Sequence, residues 1–195
     1  MTEISVELFD SKNKTFRILK SIGYQLSDQY INHDIYFSHL SNPFDVSYKT
    51  LIDNSFIIRN IKGNDCDIRQ ILYKKKIFDS NGNVVDETKT KIKIDDIDHA
   101  KKLFGLSGLT CWCDYKVENY EFVNGGGITL DVQIVPNLGT FLEIEEFDGL
   151  QGSTDEEKFE ALKSIVDSLP LKHGKDYSCK KPFLMLHKKE KTRAN

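Results

Sequence analysis

The segment Ile128-Thr129-Leu130-Asp131-Val132-Gln133-Ile134 alternates apolar and polar residues without a break. That is the period of a strand with one buried and one polar face. Ile4, Val6 and Leu8 alternate with Glu3, Ser5 and Glu7 in the same way, and Phe141-Leu142-Glu143-Ile144-Glu145 reads as a third such strand. Asp34–Phe37, Ser55–Ile61, Ile68–Phe78, Val84–Ile94, Thr110–Lys116 and Asn119–Val123 add further runs rich in β-branched and aromatic residues. Turn chemistry punctuates them at Asp79–Asn83 and at Asn124-Gly125-Gly126-Gly127. The glycine run lies between two strands, so it reads as a turn and not as a phosphate-cradling loop. Three helices are predicted: Asn13–Ile22, one capped by Asp95 or Asp96 and closed by Gly105, and one opened by Ser153 or Thr154 that carries Phe159, Leu162, Ile165, Val166 and Leu169. With no helix between most strands, the expected class is α+β, an antiparallel sheet closing on itself as a β-barrel with flanking helices.

Composition narrows the function classes. Twelve Phe, eight Tyr and one Trp in 195 residues supply enough large apolar bodies for a packed core and exclude wholesale disorder. No apolar run reaches the ~20 residues that span a bilayer. The opening Met1–Glu7 has neither a basic nor an apolar stretch, which predicts no signal peptide and a cytoplasmic protein. A net charge of -3 argues against a nucleic-acid partner. Eight basic residues against two acidic ones follow Pro170, and residues 187–195 read as a basic tail behind a single domain of residues 1–186. Cys66, Cys111, Cys113 and Cys179 fit neither a disulfide framework nor a zinc site and are expected as reduced thiols.

The polar faces of the strands carry the functional signal. Glu3 with Ser5 and Glu7, Asp131 with Thr129 and Gln133, and Glu143 with Glu145 each project to one side of a strand. Gathered carboxylates repel one another unless a cation neutralises them, and hard divalent ions take oxygen ligands. Arg59, Lys74, Lys75, Lys76, Lys89, Lys91 and Lys116 lie within strands as well. Acids for metal and bases for phosphate are the ingredients of a polyphosphate site, and solvated strand faces are the plainer alternative.

Thr129-Leu130-Asp131 followed by Pro136-Asn137-Leu138-Gly139-Thr140-Phe141-Leu142-Glu143-Ile144-Glu145 resembles the "D…GLG-x-F-x-E-I-E" signature of the CYTH superfamily, the triphosphate tunnel metalloenzymes. These include class IV adenylate cyclases, thiamine triphosphatases and inorganic triphosphatases. Asp34-Ile35-Tyr36-Phe37 is similar to the family's "D-x-Y-F", and Phe56–Arg59 with Ile71–Lys74 resembles its "L-R-I-R" and "L-T-Y-K" strands. Tyr177-Ser178 extends the resemblance, which covers about residues 3 to 186. It implies a metal-dependent enzyme on a triphosphate (ATP, inorganic triphosphate or thiamine triphosphate). Glu3, Glu143 and Glu145 would hold Mg²⁺ or Mn²⁺. Asp131 and Glu87 would be the catalytic acids, with Asp131 holding a second ion or orienting the nucleophile. Arg59, Lys74 and Lys116 would neutralise phosphate oxygens. No membrane partner is implied, and a homodimer is left open.

The departures motivate a second expectation. The family's opening "E-x-E-x-K" falls on Glu3, Ser5 and Glu7, the first Arg of "L-R-I-R" on Ile57, and "R-x-E-x-E" near Val85, Glu87 and Lys89. The acidic half is largely present and the basic half is thinned. A catalytically degenerate module that binds a nucleotide, a polyphosphate or a protein partner is therefore the alternative.

Overall fold

The computed structural model describes residues 2–78 and 84–193, with side chains described except at 76, 78, 84–87 and 189–193. In chain order the elements are β1 (Glu3–Leu8), α1 (Lys12–Ser21), β2 (Gln25–Ser38), α2 (Tyr48–Asp53), β3 (Ser55–Gly63), β4 (Asp67–Phe78) and β5 (Val84–Lys93). They continue with α3 (Ile97–Leu106), β6 (Thr110–Val123), β7 (Thr129–Val135), β8 (Gly139–Glu145), α4 (Asp155–Ser168) and α5 (Lys181–Arg193). The expected turn at 79–83 lies outside the described residues. Among the described residues no helix is long and apolar enough to cross a membrane.

The strands form one eight-stranded sheet in the order β1-β8-β7-β6-β2-β3-β4-β5. Every ladder with a described register is antiparallel. Among the described residues no ladder joins β1 to β5, so hydrogen bonding leaves the sheet open where a closed barrel was expected. The outer edge of β1 is taken instead by the segment before α5: Ser5 N–H donates to the Tyr177 carbonyl and Cys179 N–H to the Ser5 carbonyl.

The chain divides into two compact units. One comprises Met1–Gln29, Ile77–Glu87 and Glu118–Cys179; the other comprises Tyr30–Lys76, Thr88–Val117 and Lys180–Asn195. In the first, alternation sends Ile4, Val6, Leu130, Val132, Leu142 and Ile144 to one face of the sheet. There they pack with Leu19 of α1 and Leu162 and Val166 of α4. Each such side chain, fully withdrawn from water, contributes roughly 1.5–3 kcal/mol. The helix that provides much of this cover starts where its capping box predicts: Thr154 accepts from Glu157 N–H, and the Glu157 carboxylate takes Thr154 N–H at 2.7 Å. In the second unit Ile35, Phe37 and Ile58 pack under Ala100 and Phe104 of α3. Asp96 caps that helix by accepting from His99 N–H, and the helix runs through Gly105 to Leu106. The glycine run between β6 and β7 is a turn, closed by Asn124 N–H to Ile128 O, with Gly127 at φ 76° where a side chain would be strained.

Candidate metal centre

Burying the apolar face of the first unit's sheet leaves the polar residues together on the other. Cross-strand register then decides which of them meet. Glu3 lies opposite Glu145, and Ser5 lies opposite Glu143. Glu143 is opposite Asp131, and Asp131 is opposite Glu121. One row across four strands is therefore Ser5, Glu143, Asp131 and Glu121, with Glu3 and Glu145 beside it. Single carboxylate oxygens of Glu3, Glu143 and Glu145 all lie within 4.8 Å of one another. Oxygens that share one Mg²⁺- or Ca²⁺-sized ion at about 2.0–2.6 Å can be no more than about 5 Å apart, so this set fits a hard divalent cation in spacing and in donor chemistry.

The next row runs Asn119, Gln133, Phe141 and Glu7. Gln133 is 6% exposed, and its Oε1 is buried with no hydrogen-bond partner among the described residues. Gly139 makes room here, since a Cβ would come within 3.2 Å of Glu7 Oε1. Glu121, which also accepts from the Ser27 hydroxyl at 2.8 Å, was not singled out by sequence. The period-2 pattern of Asn119, Glu121 and Val123 was the signal that could have found it.

The basic candidates belong to the second unit. Arg59 lies directly between Asp34 and Gln70 in register. Its fork is engaged: Nε donates to Asp34 Oδ1 at 2.6 Å and Nη2 to Asp34 Oδ2. Burial works against the charge on Arg59, but the Asp34 carboxylate overrides it and raises the guanidinium's pKa above its ordinary value. Tyr36 and Tyr115 stack beside this pair with ring centroids 6.1 Å apart, and burial pushes both phenols well up. Lys74 is on the same face of β4 as Gln70 and Leu72 and is partly exposed. Lys116 is exposed between buried Tyr115 and Val117, so it points to the opposite side of β6 from those two. The side chain of Glu87 lies outside the described residues. The structure thus brings Glu3, Glu143, Glu145 and Asp131 onto one face, and ties Arg59 to an acid of its own unit.

No protein-family model matches the chain, and no curated protein matches it. Solved structures do. The PH1819 protein of Pyrococcus horikoshii is similar over 97% of this chain and 98% of its own, with a TM-score of 0.69 at 19% identity. The putative adenylyl cyclase HpAC1 from Hippeastrum, described as having a dominant triphosphatase activity, has a TM-score of 0.58 at 13% identity, covering 97% of this chain and 96% of that one. A putative adenylate cyclase from Vibrio parahaemolyticus reaches 0.55 at 13% identity over 88% of this chain and 90% of its own. At these identities the likeness establishes the fold. The chain therefore shares its fold with these structures, in keeping with the resemblance of its motifs to those of the CYTH superfamily.

Proposed function

We propose that the chain is a metal-dependent enzyme acting on a triphosphate, either by class IV adenylate cyclase-like chemistry or by phosphohydrolysis. The tunnel of the triphosphate tunnel enzymes is the proposed form of its substrate site. The observation that carries the proposal is the convergence of Glu3, Glu143 and Glu145. These three carboxylates would hold Mg²⁺ or Mn²⁺, which would offset the negative charge of phosphate oxygens. Asp131, opposite Glu143 in register, accepts a hydrogen bond from the attacking hydroxyl or water and sets its direction. Glu87 is the second acid in this assignment. Lys74 neutralises phosphate charge, with Arg59 and Lys116 in supporting roles. A ribose 3′-hydroxyl attacking the α-phosphate releases pyrophosphate; water attacking the terminal phosphorus releases phosphate. Either barrier falls mainly through positioning and charge stabilisation. The fold is shared both with HpAC1 and with a putative adenylate cyclase, so both branches stand in the proposal.

A second reading is favoured by the engagement of Arg59 with Asp34: a degenerate module that binds a nucleotide, a polyphosphate or a protein partner. One panel separates the two. ATP, inorganic triphosphate and thiamine triphosphate are incubated with the protein under Mg²⁺ and under Mn²⁺, and melting is followed with and without metal. The enzyme reading expects turnover of at least one substrate. It also expects a metal-dependent stabilisation of about 2.7 kcal/mol at a hundredfold excess over Kd. The Glu143→Gln/Glu145→Gln double variant should lose both while still folding without metal. Binding without turnover supports the module, and a metal effect that survives the double variant removes these residues from the assignment.

A further inference from the structure

β1 is an edge strand in the ladder order, yet outer backbone groups of Ser5 and Glu7 are bonded. Phe9 N–H donates to Lys172 O and Gly174 N–H to Glu7 O, both at 2.8 Å. Ser5 N–H donates to Tyr177 O at 3.1 Å, and Cys179 N–H to Ser5 O at 2.9 Å. Lys172 N–H goes to the Asp10 carboxylate at 3.0 Å. Residues 172–179 are thus a strap along the edge that the sheet would otherwise leave bare. The strap is no regular strand: isolated bridges at Leu8–His173 and Ser5–Ser178 join it, one antiparallel and one parallel. Its middle needs another hold.

That hold is Asp167 on α4. The Tyr177 hydroxyl donates to Asp167 Oδ1, and His173 Nε2 stands 3.6 Å from the same oxygen. Lys163, one turn earlier on α4, approaches Asp167 Oδ2 at 3.8 Å and lies 5.4 Å from the centre of the Tyr177 ring. The hydrogen bond to Asp167, followed by burial, pushes the Tyr177 phenol up to about 12, so the hydroxyl stays a donor across the physiological range. α4 is itself anchored in the core through Leu162 and Val166. A carboxylate on a fixed helix therefore grips the strap at Tyr177, with His173 beside it.

The grip reaches the acidic centre. Glu143 and Glu145 sit on β8, which lies between β1 and β7 in the sheet, whereas Glu3 sits on the edge strand. The backbone of Ser5, two residues from Glu3, is bonded to the strap through both its N–H and its carbonyl. We propose that Asp167 and Tyr177 are positioning residues for the Glu3–Glu143–Glu145 centre, latching the strap onto β1 and so fixing the strand that carries Glu3. What the centre binds rests on the proposed function; the latch itself does not.

The test uses the full chain with Tyr177→Phe, which removes one hydroxyl, Asp167→Ala, and Asp167→Asn, which keeps an acceptor oxygen for Tyr177. Hydrogen exchange is followed at the Ser5, Phe9, Gly174 and Cys179 amides, with Mn²⁺ affinity and metal-free melting measured alongside. Tyr177→Phe and Asp167→Ala should speed exchange at those four amides about tenfold, with β7 amides unchanged. Mn²⁺ binding should weaken several-fold in both, and Asp167→Asn should recover part of each loss. Exchange at parent rates overturns the proposal, as does fast exchange with parent Mn²⁺ affinity. Should the parent bind no Mn²⁺, the metal reading fails separately, and hydrogen exchange at the Glu146 amide, which donates to Thr2 O beside Glu3, decides the latch. Faster exchange there in Tyr177→Phe supports it, and an identical rate overturns it.

Discussion

Arg59 shows how much a residue's role depends on the one opposite it. Asp34 and Arg59 are 25 positions apart in sequence and meet only because β2 and β3 pair in that register. Sequence puts an arginine in a strand; it does not say which side chain faces it. Asp34 is 2% exposed, so removing the guanidinium strands a buried carboxylate. Arg59→Ala should destabilise the protein by about 3–5 kcal/mol, the usual cost of breaking one partner of a buried pair. Asp34→Asn combined with Arg59→Gln should recover a good part of that. Denaturant unfolding of the two variants checks it, and a loss under 1 kcal/mol (about one exposed pair's worth) would show that the pair is solvated. β6, which carries Lys116, shows a related limit. Trp112, Cys113, Tyr115 and Val117 are all buried, so the period-2 rule breaks within β6 and parity could not be carried through it.

Elements were legible where one face is buried and the other polar. β1, β7 and β8 announce themselves by alternation, and with them the side on which Glu3, Asp131, Glu143 and Glu145 lie. β2 was seen only from Asp34 onward, because residues 25–31 are mostly exposed and carry no buried stripe. α2 has only six residues, and the second half of α5 falls in the basic stretch 187–195 that was read as a tail; neither has the apolar periodicity that marks α4. The start of α4 was readable to within one residue from Ser153 and Thr154, each with a Glu three residues on, and the structure uses Thr154 with Glu157. Thr154→Ala should cost about 1 kcal/mol by removing the acceptor for Glu157 N–H, while Thr154→Ser should be close to neutral. Thermal melting of the two variants is the check, and equal losses would mean that the cap contributes through its methyl group instead.

Across the whole molecule, several carboxyls are held below their ordinary values. Asp10 is lowered first by Lys14 and then by the Lys172 amide, and Glu146 first by Lys158. Glu157 is lowered by Thr154, Asp67 by Arg69, and Asp96 by the His99 amide. A carboxyl lowered by folding contributes stability above its unfolded pKa, here 3.8 for Asp and 4.5 for Glu, and loses it as pH falls through the folded value. The melting temperature should therefore be flat above about pH 5 and fall below it. Asp10→Asn should melt lower than the parent at neutral pH, with the gap closing on acidification; a gap that persists in acid would assign the effect to packing. The antiparallel order also has a consequence for how the protein is made. Thr2 N–H reaches the Glu146 carboxylate across 144 residues of sequence, and the strap on the other side of β1 ends at Cys179. A ribosome that releases β1 first holds back both of its neighbours until nearly the last of these residues has been synthesised. The three glutamates therefore assemble after translation of almost everything between them, in a slow, long-range closing step that leaves the first strand exposed to chaperones and to other nascent chains in the meantime.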